Sequence, residues 1–79
     1  MSITVTLSTT LRNQVPGYRP DQGLTLPWEG PQSLLDVAQA LGLPLADIKI
    51  TMLNGRWAEL DTQVSDNDRV AFFPAVGGG

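Results

Sequence analysis

The residues whose types and spacing could do chemistry stand at the end of the sequence, in the run Phe72-Phe73-Pro74-Ala75-Val76-Gly77-Gly78-Gly79. An apolar, strand-like stretch passes through a proline into three glycines, and a free carboxylate is expected at Gly79. Glycine has no side chain and visits nearly all of backbone space, so such a run is thin and chemically silent except at its end. A carboxylate is a poor electrophile and a poor nucleophile until it is activated. Terminal fraying is the bland reading of a glycine tail. Here no tag or protease-site residues precede it, and the glycines follow directly on a strand with a proline stop, which favours a functional end.

The rest of the sequence offers little else that reacts. There are no cysteines and no histidines, which removes disulfides, thiolate nucleophiles, iron–sulfur ligation and the usual zinc sites. Asp66 and Asp68 are carboxylates two apart, but Asp66-Asn67-Asp68 reads as tight-turn chemistry rather than acid–base work. No nucleophile stands beside a base, so no self-contained active site is expected, no bound cofactor and no metal. The net charge is −3, and the five basic residues Arg12, Arg19, Lys49, Arg56 and Arg69 are scattered. No basic patch is available for a phosphate backbone, which argues against nucleic acid. No apolar stretch approaches the ~20 residues that cross a bilayer. Met1-Ser2-Ile3-Thr4 lacks the charged and apolar regions of a secretory signal, so a cytoplasmic protein is expected.

The elements that must position the tail can be read by periodicity. A chain of 79 residues, 42% hydrophobic and 16% charged, reads as one globular domain near the lower size limit for a single core. Ile3-Thr4-Val5-Thr6-Leu7-Ser8 alternates as a half-buried strand with Ile3, Val5 and Leu7 inward. Thr9 or Thr10 can cap a short helical turn through Leu11-Arg12-Asn13-Gln14, ended by Pro16-Gly17. Tyr18 to Gly23 reads as loop, and Leu24-Thr25-Leu26-Pro27-Trp28 as a strand that lies at an edge or breaks at Pro27. Ser33 is the expected N-cap of a helix of about ten residues, with Asp36 three on. Leu34, Val37, Ala38 and Leu41 form its apolar stripe, and Gly42 with Pro44 ends it.

Ile48-Lys49-Ile50-Thr51-Met52-Leu53 is a further strand, and Asn54-Gly55 the strongest hairpin signal in the chain. A short return strand over Trp57 to Leu60 would put Ala58 and Leu60 on one face, Trp57 and Glu59 on the other. Asp61 to Asp68 is turn-rich, with Val64 tucked inward. In the last strand, Arg69-Val70-Ala71-Phe72-Phe73, an inward Val70 and Phe72 force Phe73 to the opposite side. Hairpin-connected strands with one helix imply an α+β two-layer domain. No internal repeat is present.

Taken together, Leu53-Asn54-Gly55-Arg56-Trp57, Leu60-Asp61, Asp66-Asn67-Asp68-Arg69-Val70 and the Phe72 to Gly79 run resemble the MoaD/ThiS sulfur carriers. That family shows an NG-type turn, a GD-type turn, an FFPP-like strand end and a Gly-Gly terminus in this order. The likeness covers the whole chain and is nearest to the molybdopterin synthase small subunit, whose branch the longer Leu11 to Gly23 region also fits better than the shorter thiamine carriers. Pro74-Ala75 stands where the family often has two prolines, Asn67 replaces a turn glycine, and three glycines stand where two are typical, Gly78 and Gly79 matching the pair.

The resemblance implies a ubiquitin-like β-grasp, a mixed sheet of four to five strands packed on one main helix, with residues 1–74 as the domain and 75–79 as a flexible tail. Its first and last strands would pair in parallel at the sheet's centre. It further implies that an E1-like enzyme adenylates Gly79 with ATP, and that sulfur from a persulfide displaces AMP to leave a thiocarboxylate. The acceptor would be the molybdopterin synthase large subunit or an equivalent enzyme, in molybdenum cofactor biosynthesis. At about 3.3–3.6 Å per residue, residues 75–79 reach at most ~18 Å. Gly77 and Gly78 would allow close passage, and Trp57, Phe73 and Pro74 match the family's partner-binding surface. The chain is then a carrier subunit rather than an enzyme. A carrier for thiamine or another pathway, a ubiquitin-like modifier and an inert β-grasp binding module are the alternatives.

Overall fold

A computed structural model describes residues 1–19 and 22–74, without the side chains of Thr9, Thr10 and Asn13. Among the described residues, seven strands and one α-helix follow in the order β1 (Ser2–Leu7), β2 (Leu24–Pro27), β3 (Gln32–Ser33), α1 (Leu34–Ala40), β4 (Ile48–Leu53), β5 (Arg56–Trp57), β6 (Gln63–Val64) and β7 (Arg69–Pro74). Five of the strands form one mixed sheet in the order β2-β1-β7-β4-β5. The fold is the expected α+β β-grasp.

The alternation of β1 settles the inner face: Ile3, Val5 and Leu7 are buried. On β7 the same face receives Val70 and Phe72, Phe72 fully buried, against Leu34, Val37 and Ala38 of the helix. β1 and β7 run parallel, with Val5 beside Val70 and Leu7 beside Phe72. A parallel pair needs a long crossover, and the helix lies within it. β2 pairs antiparallel to β1 at the sheet's edge, where Pro27 costs no ladder bond that a neighbour would need.

Ser33 opens the helix as expected. Its Oγ accepts from the Asp36 backbone N–H while Asp36 accepts from the Ser33 N–H, a reciprocal capping box. The next two donors are also met, Leu34 N–H by the Thr62 carbonyl at 3.0 Å and Leu35 N–H by that of Leu60 at 2.9 Å. The helix is shorter than the periodicity predicts, ending at Ala40 with Leu41 as its C-cap. Gly42, at φ +73°, takes the left-handed turn beyond it. Pro44 then starts a 3-10 turn, Leu45–Asp47, that leads directly into β4.

Four expectations are corrected. The 3-10 turn after β1 spans Thr9–Gln14 and Ser8 occupies its N-cap position, with no side-chain cap bond. The return strand is only Arg56–Trp57, because Ala58 and Leu60 turn in to pack against the core. Gln32 and Ser33, read as helix entrance alone, also pair with Val64 and Gln63 in a second, two-stranded sheet. Tyr18 is more than loop: its hydroxyl accepts from the Leu7 N–H at 2.8 Å and lies 3.3 Å from the Leu7 carbonyl. β2 starts opposite Val5, so the phenol stands where a longer β2 would have paired.

Phe72 is the packing centre. Replacing it with alanine removes a fully buried aromatic and leaves a cavity, with an expected loss of about 3–5 kcal/mol. Urea unfolding followed by circular dichroism measures this directly.

Candidate functional site

The site is built outward from β7. Because strand side chains alternate, burying Val70 and Phe72 sends Arg69, Ala71 and Phe73 to the opposite face of the sheet. β4 lies antiparallel beside β7, with Ile50 opposite Phe73 and Met52 opposite Ala71. β5 extends that row, since Trp57 pairs with Met52. The outer face therefore gathers Ile50, Met52, Trp57, Ala71 and Phe73 into one apolar patch. Trp57 is 79% exposed, while the other four are half-buried.

Trp57 is held in this exposed place by its neighbours. The two-residue turn Asn54-Gly55 has φ +53° and +82°, the left-handed pair that suits the twist of a tight hairpin. Past Trp57, the Ala58 N–H donates to the Thr51 carbonyl at 3.1 Å, and the Thr51 hydroxyl donates to the Ala58 carbonyl. The chain is then drawn inward by Ala58 and Leu60 and pinned beneath the helix start by the Leu60 and Thr62 carbonyls. Trp57 stays out because both sides of it are tied down.

The hairpin tip is also fastened to the start of β7. Asn54 N–H donates to the Arg69 carbonyl at 2.7 Å, and its side-chain carbonyl accepts from Arg69 N–H at 2.8 Å. Its amide nitrogen donates to an Asp68 carboxylate oxygen at 3.0 Å. The other Asp68 oxygen accepts from Ser65 N–H at 2.7 Å. Asp66 accepts from the Ser2 N–H at 2.8 Å. Asp68 thus serves its turn, as the sequence predicts, whereas Asp66 ties that turn to the start of β1. Asn67, where the resembling family has glycine, adopts φ +70°, which asparagine tolerates.

Of the residues singled out in the sequence, Trp57 and Phe73 share the outer face, Phe73 less exposed than expected because Ile50 stands opposite it. Pro74 is half-buried and pairs with Ile48 at the end of β7. Gly77, Gly78 and Gly79 lie outside the described residues. Ile50, Met52 and Ala71 were not singled out. Their signal was present, since a two-residue turn at Asn54-Gly55 fixes Leu53 opposite Arg56 and hence Met52 opposite Trp57.

Among the described residues, no three or more acidic, histidine or cysteine side chains converge on a possible metal position. No helix among them is long and apolar enough to cross a membrane. Next to the apolar patch, and sharing Met52 and Ala71 with it, the outer face forms an open depression also lined by Thr4, Thr6, Gln22, Asn54 and Arg69.

The chain superimposes on the crystal structure of SAMP1 from Haloferax volcanii with a TM-score of 0.73, at 20% sequence identity, covering 100% of both chains. At that identity the likeness speaks for the fold. No curated protein sequence matches. The sequence model described as Mut7-C ubiquitin matches residues 1–77, nearly the whole chain. Fold and sequence agree with the resemblance drawn from the motifs, and the chain belongs to the Mut7-C ubiquitin family of ubiquitin-like domains.

Proposed function

We propose that the chain is a ubiquitin-like sulfur carrier that works on its C-terminal glycine, as the small subunit of molybdopterin synthase. The observation that carries the reading is the position of β7. The strand that leads into the glycine run is the central strand of the sheet, paired on both sides, so the tail starts from a firm base. The exposed Trp57 patch lies on the sheet face that β7 shares. Ordering a glycine tail in a partner's tunnel costs roughly 1–2 kcal/mol per residue. A patch rooted in the folded domain can offset that cost without adding bulk to the tail.

In this reading an E1-like enzyme forms the acyl adenylate at Gly79, with the carboxylate oxygen attacking the α-phosphate of ATP and pyrophosphate leaving. The terminal sulfur of a partner's persulfide then attacks the acyl carbon and expels AMP, and a second thiol of the partner cleaves the resulting acyl disulfide, forming a disulfide with the donor sulfur and releasing the thiocarboxylate. The thiocarboxylate is softer and more nucleophilic than the carboxylate and passes its sulfur to a substrate held by the acceptor enzyme, in the cytoplasm. Gly77 and Gly78 let the backbone approach both active sites closely. Trp57, Phe73 and Pro74 grip the partner. Nothing in the described residues needs to act as acid or base, since the partners supply the catalysis.

The reading requires Gly79 to be a free C-terminus in the cell, which intact mass establishes first. The purified chain is then incubated with its cognate E1-like enzyme, ATP and a sulfur source, and the product trapped with an alkylating probe. An adduct on Gly79 is expected. Its absence would defeat the carrier reading, and an isopeptide-linked Gly79 would mark a modifier instead. Loading without activity in reconstituted molybdopterin synthase would move the carrier to another pathway. Deleting Gly79 should abolish loading while the unfolding midpoint stays unchanged.

Trp57→Ala separates grip from fold. Its side chain is 79% exposed, so stability should change by no more than about 0.5 kcal/mol. Affinity for the activating or acceptor enzyme should fall by about 2 kcal/mol, roughly 30-fold, if Trp57 is an interface anchor. Calorimetric titration against each partner, alongside urea unfolding, reads both numbers.

A further inference from the structure

The Asn54-Gly55 turn places a reactive pair of residues under a lock. Asparagine followed by glycine is the sequence most prone to deamidation. The backbone nitrogen of the glycine attacks the side-chain carbonyl carbon, a five-membered imide forms, and the amide nitrogen leaves as ammonia with the glycine's proton. Solvent water then opens the imide on either side, returning a proton to the ring nitrogen and leaving aspartate or isoaspartate. No oxidant or reductant is needed.

Two features of the turn favour this chemistry, and the sequence around the other asparagines does not. Asn54 is exposed to water. Gly55 has no side chain to shield its nitrogen, and a Cβ built there would meet nothing within 4 Å. The other two asparagines, Asn13 and Asn67, precede glutamine and aspartate, whose side chains crowd the attacking nitrogen.

One feature opposes it. Both ends of the Asn54 amide are held by a segment far along the chain, the carbonyl by Arg69 N–H and the nitrogen by Asp68. For the carbonyl carbon to swing onto the Gly55 nitrogen, both bonds must break. We infer that Asn54 is the deamidation site of this protein and that the Asp68–Arg69 clasp sets its rate, so that the reaction runs only when the hairpin tip parts from β7. The product does not close again. A carboxylate at position 54 faces the Asp68 carboxylate where an amide N–H had donated, and like charges at hydrogen-bond distance repel. Isoaspartate also adds a backbone atom to a two-residue turn. Either product loosens the hairpin that carries Trp57.

The test follows the intact chain at mildly alkaline pH by peptide mapping and isoaspartyl labelling, with Asp68→Ala and Val37→Ala alongside. Asp68→Ala removes one charged acceptor, and acceleration of about tenfold or more is expected. Val37→Ala destabilises the core without touching the clasp and should accelerate far less. Equal acceleration by both variants, no change in Asp68→Ala, or first modification at Asn13 or Asn67 would overturn the inference. Should Asp68→Ala not fold, the wild-type chain decides in graded, sub-denaturing urea. There the deamidation rate must follow hydrogen exchange at the Arg69 amide, and a rate that follows the core amides of Val5 and Phe72 instead overturns it.

Discussion

β7 lies between β1 and β4, and its side chains alternate across the sheet. The bonds that commit Val70 and Phe72 to the core therefore commit Arg69, Ala71 and Phe73 to the opposite face. A one-residue slip would exchange the two sets, placing Phe73 among the helix contacts and Phe72 in water. Fold and outer surface are thus fixed by one register. This is economical in a chain of 79 residues, where a separate core for a separate site would not fit.

The hairpin shows how a small domain keeps a large aromatic outside. Burying Trp57 would add apolar area to a core that needs it. Instead Asn54 and Gly55 turn the chain sharply, Ala58 and Leu60 fill the inward positions, and the carbonyls of Leu60 and Thr62 satisfy the first amides of the helix. That segment serves helix and hairpin at once.

Much of this was legible from residue order. Strict alternation found β1, β4 and β7, with the correct faces for β1 and β7, Ser33 and Asp36 announced the capping box, and Asn54-Gly55 set the hairpin. On β4 the inward side chains are Thr51 and Leu53, which the apolar alternation of Ile48, Ile50 and Met52 does not indicate. What escaped was decided by tertiary contact. Gln32-Ser33 and Gln63-Val64 form a ladder of two residues each, too short for any period to show. Leu41 continues the apolar stripe, yet the helix ends at Ala40 because Gly42 turns the chain towards Leu43, which is buried beyond it. The Trp57 to Leu60 stretch alternates like a strand but has only β4 beside it, and Ala58 and Leu60 gain more by packing inward. Tyr18 gave no signal, since a tyrosine in a loop does not reveal that its hydroxyl will meet the Leu7 backbone. The glycines at positions 77 to 79 were legible only by composition and by likeness.

The parallel pairing of β1 with β7 joins residues 65 apart, as Thr6 with Ala71. Such a contact closes a long loop before it rewards the chain, and folding slows accordingly. During synthesis the sheet has no centre until β7 has left the ribosome, so β1 and β4 wait with open edges that invite pairing with other chains. The threonines at positions 4 and 6, which leave the outer side of β1 polar, and Lys49, which stands at a bulge between Ile48 and Ile50 on β4, make those waiting edges poor templates. The strand that carries the tail is then also the one whose arrival ends the chain's exposure to aggregation.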